Sequence, residues 1–250
     1  MNVEESFNAF VQEIGGELVS ELLPKAPPFE NADYIFRKVP EETVVAELKC
    51  LTEDSSEKVS EERWEKFYAC WAEKGFVSKP PAEGFRPNLK ELPLECQRDL
   101  WKWLGRPIQA QIGKANRQIK QTKEHFGLTS AKGLLLLVND GNYSLQSDVV
   151  LSLANQVIGK YHAGIEHYHS GINSVVYFTV NMEATMPNTE RDLRVWVEAQ
   201  REGILPVSKE FLKALQVGWV AFFERAMGEP VPTFRQGSIG QIEFKRPRKD

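Results

Sequence analysis

The 250-residue sequence predicts an α/β protein: a mixed central sheet flanked by helices, with a helical insertion and a helical C-terminal extension. Three observations lead there. Segments 31–36 and 44–51 read as neighbouring strands joined through turn chemistry around Pro40, which suits an antiparallel pair. Two nearly unbroken apolar runs, GLLLLV at 133–138 and SVVYFTV at 174–180, suit strands covered on both faces. A helical period at 147–160 separates them, so the order is that of a parallel crossover unit.

Composition narrows the class. Hydrophobic residues make up 42% and charged residues 26%, as in ordinary globular domains rather than disordered or fibrous chains. No apolar run approaches the roughly 20 residues that span a bilayer. The opening MNVEESF is acidic and lacks the basic-then-apolar pattern of a secretory leader, so a cytoplasmic protein is expected. Cys50, Cys70 and Cys96 are odd in number and scattered, which disfavours a disulfide framework, a zinc finger or an iron–sulfur cluster. There is no Walker-type phosphate loop, no GxSxG elbow, and no helix-turn-helix or zinc module to read a base sequence.

Taken in order, residues 3–23 predict a first helix, stopped by Pro24, with Phe7, Phe10, Val11, Ile14, Leu18 and Leu22 on one stripe. Glu17 lies at the margin of that stripe and Glu21 within it. Pro24, Pro27 and Pro28 make 24–30 a poor strand. In 44–51, alternation puts Val44, Ala46, Leu48 and Cys50 on an apolar core face, and Val45, Glu47 and Lys49 on the other. Asp33 comes level with Glu47 if the two strands form a hairpin, setting two carboxylates and a lysine at a sheet edge. Residues 60–74 and 94–104 read as helices, with an extended Pro- and Gly-rich connection over 78–93 between them. Together they form a helical insertion at about 53–107 whose tryptophans are read first as packing residues, with stacking on bases the alternative. Residues 108–126 predict a helix ending near Gly127. Residues 189–202 and 208–227 read as two more helices, the second with an apolar face broad enough to dock on the core or on a second copy. The division is thus a core over 1–187 and an extension over 188–250 that ends in a basic tail.

Asp33 followed by Glu47-Leu48-Lys49 resembles the signature of the PD-(D/E)XK nuclease superfamily, the restriction-endonuclease-like class. The usual Pro-Asp is Ala32-Asp33 here. The resemblance covers roughly residues 3–181 outside the insertion. It implies a nuclease acting on nucleic acid, DNA foremost, with Mg²⁺ or Mn²⁺ as cofactor. Asp33, Glu47 and the backbone carbonyl of Leu48 would hold the metal, joined by Glu17 from the first helix. Lys49 would orient the attacking water and offset charge in the transition state. The contrasting reading is a nucleic-acid-binding or assembly protein that keeps this fold without its chemistry.

The net charge of −4 does not announce a nucleic-acid partner; its distribution matters more than the total, and a basic helix face reads either as solvated surface or as a phosphate-binding face. From Trp101 to Lys123 there are six Lys or Arg residues and no acid. On the 108–126 helix, Lys114, Gln118 and Gln121 fall at i, i+4 and i+7 with Arg117 beside them, a face suited to phosphate contacts. His162, His167 and His169 cluster in YHAGIEHYHSG without zinc-site spacing, so no metal is assigned to them.

Overall fold

The computed structural model describes residues 1–25, 27–37, 42–53, 59–78, 91–143, 146–159, 161–162, 166–182, 184–185, 194–201, 203–231 and 243–244. The expected turn at Pro40, most of the 78–93 connection, the start of the 189–202 segment and the last residues of the basic tail lie outside them.

The first helix, α1 (Val3–Glu13), is capped by Asn2, whose side chain accepts the Glu5 N–H, and it buries Val3, Phe7, Phe10 and Val11. It stops ten residues short of the expected end. Gly15 takes the left-handed conformation at φ +79°, the Gly16 N–H returns to Val11 O at 2.8 Å, and the Gly15 N–H to Gln12 O at 3.1 Å. This closure satisfies the last carbonyls, and the Gly15-Gly16 pair makes it cheaper than continuing the helix. The chain leaves it as a two-residue strand, β1 (Glu17–Leu18), and a single turn, α2 (Val19–Leu22).

Strands β2 (Tyr34–Phe36) and β3 (Val44–Leu51) follow, then α3 (Glu61–Glu73), capped by Ser60, and α4 (Leu94–Leu104). Next come α5 (Arg106–His125), β4 (Lys132–Asn139) and α6 (Ser147–Ile158). Two short strands, β5 (Tyr161–His162) and β6 (Glu166–His167), pair with each other. They precede β7 (Ser174–Thr179), β8 (Ala184–Thr185), β9 (Trp196–Gln200), α7 (Lys209–Met227) and β10 (Glu243–Phe244), which pairs with β8.

The main sheet has six strands in the order β1-β2-β3-β4-β7-β9. The three central strands β3, β4 and β7 are parallel, and β1, β2 and β9 run antiparallel to their neighbours. The protein is therefore an α/β fold around a mixed sheet. One face packs against α3 to α6 through Ile35, Val45, Leu135, Leu137, Val175 and Tyr177. The other packs against α1 and α7 through Tyr34, Phe36, Ala46, Leu48, Leu136 and Phe178.

The region read as a helical extension contributes to both layers. Residues 189–202 were expected to be helical; their described part contains β9, in register with β7 from Ser174↔Gln200 to Phe178↔Trp196. The Val195 N–H also bonds Thr179 Oγ1 at 2.9 Å. An open strand edge outweighs the modest helix preference of Glu198, Ala199 and Gln200, as context regularly does for strand formation. Helix α7 forms where expected, with Trp219 against Phe7, Phe10 and Phe178 at ring-centroid distances of 5.1, 5.4 and 5.8 Å. The tryptophans of the insertion pack as well: Trp64 and Trp71 are buried.

Candidate metal centre

The pairing of β2 with β3 sets the geometry. Tyr34 stands opposite Ala46 and Ile35 opposite Val45, so carrying the register one residue further puts Asp33 opposite Glu47. Facing residues of an antiparallel pair have Cβ atoms about 5 Å apart, close enough for their carboxylates to meet. Asp33 lies just before β2 and turns its carboxylate onto β3, where Oδ2 accepts the Leu48 N–H at 2.8 Å. Lys49, two residues along the same face, donates from Nζ to Glu47 Oε1.

The sequence reading places the Glu47–Lys49 pair at a sheet edge; the structure places it on an inner strand. β3 is an inner strand with a partner on each side, and α5 covers the face that carries both residues. Glu47 is 0% exposed, and the Lys49 side chain is 16% exposed. Solvated Glu-Lys pairs on strands are common; a buried one needs compensation.

Electrostatics follow from that burial. Burial pushes the Glu47 carboxyl up to about 8, the Asp33 charge pushes the same way, and Lys49 opposes both. Asp33 is also raised, by burial first, against the lowering effects of the Leu48 N–H, Lys49 and Glu47. Glu47 Oε2 is buried without a hydrogen-bond donor among the described residues. Two facing carboxylates in that setting repel, and one proton held between them relieves the repulsion. A hard cation does so more fully. The donor set fits one: two carboxylates, with the Leu48 carbonyl on the same side of β3 as the N–H that Asp33 holds, because a strand residue directs both groups to one neighbour. Among the described residues no group of three or more His, Cys, Asp or Glu side chains converges, so a cation here relies on Asp33, Glu47 and backbone oxygen.

Glu17 does not join this cluster. With α1 broken at Gly15, Glu17 sits on β1 opposite Ile35, and its carboxylate binds Arg37 Nε at 3.0 and 3.2 Å. Glu21 is exposed and accepts from Gln12 Nε2 at 3.0 Å. The acid of α1 whose charge reaches Asp33 is Glu4, in the first turn, more weakly than burial, Leu48, Lys49 or Glu47.

Helix α5 holds the backbone before Asp33 in place. Gln118 Nε2 donates to Asn31 O at 2.8 Å, Thr122 Oγ1 accepts the Ala32 N–H at 2.8 Å, and Gln121 Oε1 accepts the Glu30 N–H at 3.1 Å. Gln118 and Gln121, expected on a nucleic-acid face, thus bind the protein's own chain, and Gln118 is buried. Residue type alone does not single out Thr122, since its role depends on a backbone segment 90 residues away. Lys114 and Arg117 are exposed as expected; Arg117 Nη2 lies 3.5 Å from Glu30 Oε2. The side chains of His162 and His167 lie outside the described residues.

Comparison of this chain with protein-family models, curated proteins and solved structures finds no match.

Proposed function

We propose that this chain is a nuclease of the PD-(D/E)XK type that hydrolyses phosphodiester bonds of nucleic acid, DNA foremost, with a divalent cation. One observation carries the reading: Asp33 and Glu47 face each other across β2 and β3, and Lys49 projects beside them from the same face. Asp33, Glu47 and the Leu48 carbonyl would hold a Mg²⁺ or Mn²⁺ ion, which would supply positive charge to activate a water and offset charge on the phosphate. Asp33 and Glu47 then contribute as carboxylates, giving up the proton they share. Lys49 brings up to three N–H donors on a positive charge, able to hold the attacking water or a phosphate oxygen as charge builds there. Burial strengthens each interaction by excluding competing water. The exposed Lys114, Arg117 and Lys120 offer the sequence-independent phosphate contacts that bring a polyanion to the site.

Incubation with plasmid, branched and single-stranded DNA and with RNA, in Mg²⁺ or Mn²⁺ against EDTA, tests this. Cation-dependent cutting is expected, reduced at least about 100-fold in Glu47→Gln, the scale of losing one charge-stabilising group. Absence of cutting on every DNA and RNA offered, or equal cutting by Glu47→Gln, would leave the chain as a binding or assembly protein.

A further inference from the structure

A cavity of about 350 Å³ opens at the C-terminal end of β3, between Cys50, Leu51, Trp103, Ile108 and Gln111. Its place relative to the carboxylate pair follows from strand geometry. Glu47, Lys49 and Leu51 project from one face at successive i, i+2 steps, and Leu51 is already a wall of the cavity. The cavity therefore begins one side chain beyond the lysine, about 6.6 Å along the strand.

Its walls are fixed. The Asp140 N–H bonds Leu51 O at 2.9 Å, and Asn139 Nδ2 holds Asn142 O at 2.9 Å and Tyr177 Oη at 2.8 Å. A Cβ on Gly141 would lie 2.6 Å from Thr52 O, so the loop after β4 presses directly on the end of β3. Opposite, the Trp103 indole is braced edge-on against Phe67 at 6.1 Å, with the Arg63 guanidinium 5.5 Å from its ring centroid.

The lining chemistry selects the occupant. Leu51, Ile108 and the indole give flat apolar contact. Gln111 is anchored through Nε2 to Cys50 O at 3.4 Å, and its Oε1 is buried without a hydrogen-bond partner. Glu53 also lines the space. Apolar faces beside the Gln111 amide suit a planar ring with polar groups on its edge. The volume is at the small end of ligand pockets, enough for one base. Arg106 lines it as well, exposed, with a guanidinium suited to a backbone phosphate.

Building on the nuclease reading, we propose that this cavity receives one unstacked nucleobase next to the scissile phosphate. The substrate is then a single strand, or a duplex with an unpaired nucleotide at the cut. The base stacks on Trp103 with its polar edge toward the Gln111 amide, while Arg106 holds the adjoining phosphate. Stacking on an aromatic side chain tolerates every base and is a recurring device for single strands.

The test uses the full-length protein and single-stranded DNA oligonucleotides in which one abasic nucleotide is stepped along the strand. Affinity is read by anisotropy in Ca²⁺, and cutting separately in Mg²⁺. Loss of the base at one position should weaken binding by about 5- to 100-fold, the range for one stacked base. Annealing a full complement should weaken it similarly. Trp103→Ala should impose the same loss on the intact strand and little more on the abasic strand, because the two changes remove one contact. Gln111→Leu, which keeps the volume, makes the same comparison should Trp103→Ala fail to fold. Indifference to the abasic position, or equal affinity for the full duplex, overturns the base pocket even where Mg²⁺-dependent cutting and its loss in Glu47→Gln persist. A position-specific loss without any cutting supports the pocket and removes the nuclease reading.

Discussion

Replacing Glu47 by Gln should change how the stability of the metal-free protein depends on pH. In the unfolded chain Glu47 ionises near the ordinary glutamate value of 4.5, and in the folded protein near about 8. Between those values the native state holds the proton that the unfolded state has lost, so stability falls as pH rises through this window and levels off above it. Each unit of difference corresponds to about 1.4 kcal/mol. The full interval sets an upper bound of about 5 kcal/mol, and coupling to Asp33 and Lys49 lowers the expected effect to roughly 2–4 kcal/mol. The amide of the Glu47→Gln variant has no proton to lose. The stability difference, variant minus wild type, should therefore grow by that amount from pH 4.5 to pH 8 and stay level beyond. Denaturant unfolding in EDTA across about pH 4–9 measures it directly. Calorimetry in buffers of different ionisation enthalpy should also show wild type releasing about one proton on binding Mg²⁺ at about pH 7, since the cation takes the proton's place. Parallel stability curves for the two proteins, and cation binding without proton release, would refute the claim that burial and Asp33 together keep Glu47 protonated.

Three further outcomes are expected. Gln118→Leu and Thr122→Val each remove a bond to the backbone before Asp33; each should lower stability by about 1–2 kcal/mol in denaturant unfolding, and cutting should fall although neither residue belongs to the carboxylate pair. Gly141→Ala should destabilise by about 1–3 kcal/mol, seen as a lower Tm, because φ +143° and the Thr52 carbonyl both oppose a side chain there. Reversing Lys114 and Arg117 to Glu should weaken binding to all DNA sequences alike and flatten the dependence of log affinity on log salt by about one unit per lost phosphate contact; an unchanged slope would return this face to solvent.

The sequence alone determined what local periodicity controls. Alternation in 44–51 placed Glu47 and Lys49 on one face, and the apolar runs of β4 and β7 declared strands buried on both sides. Ser60 and Ser208 marked the starts of α3 and α7. Asp33 was legible as Glu47's partner once a hairpin was assumed, since an antiparallel register follows from a single pairing. Other features waited for tertiary structure. Gly15-Gly16 tolerates several conformations, and only the closure onto Val11 and Gln12 ended α1 and moved Glu17 to the Arg37 ion pair. Residues 196–200 have no strong preference, and the open edge of β7 made them a strand. Most consequentially, alternation says which side chains share a face and nothing about whether that face is wet. The depth of Glu47, its raised carboxyl and the occupation of Gln118 all arise because α5, some 60 residues further along, lies across that face of the sheet. Burial is a property of what packs on a strand, and that partner is chosen by the whole fold.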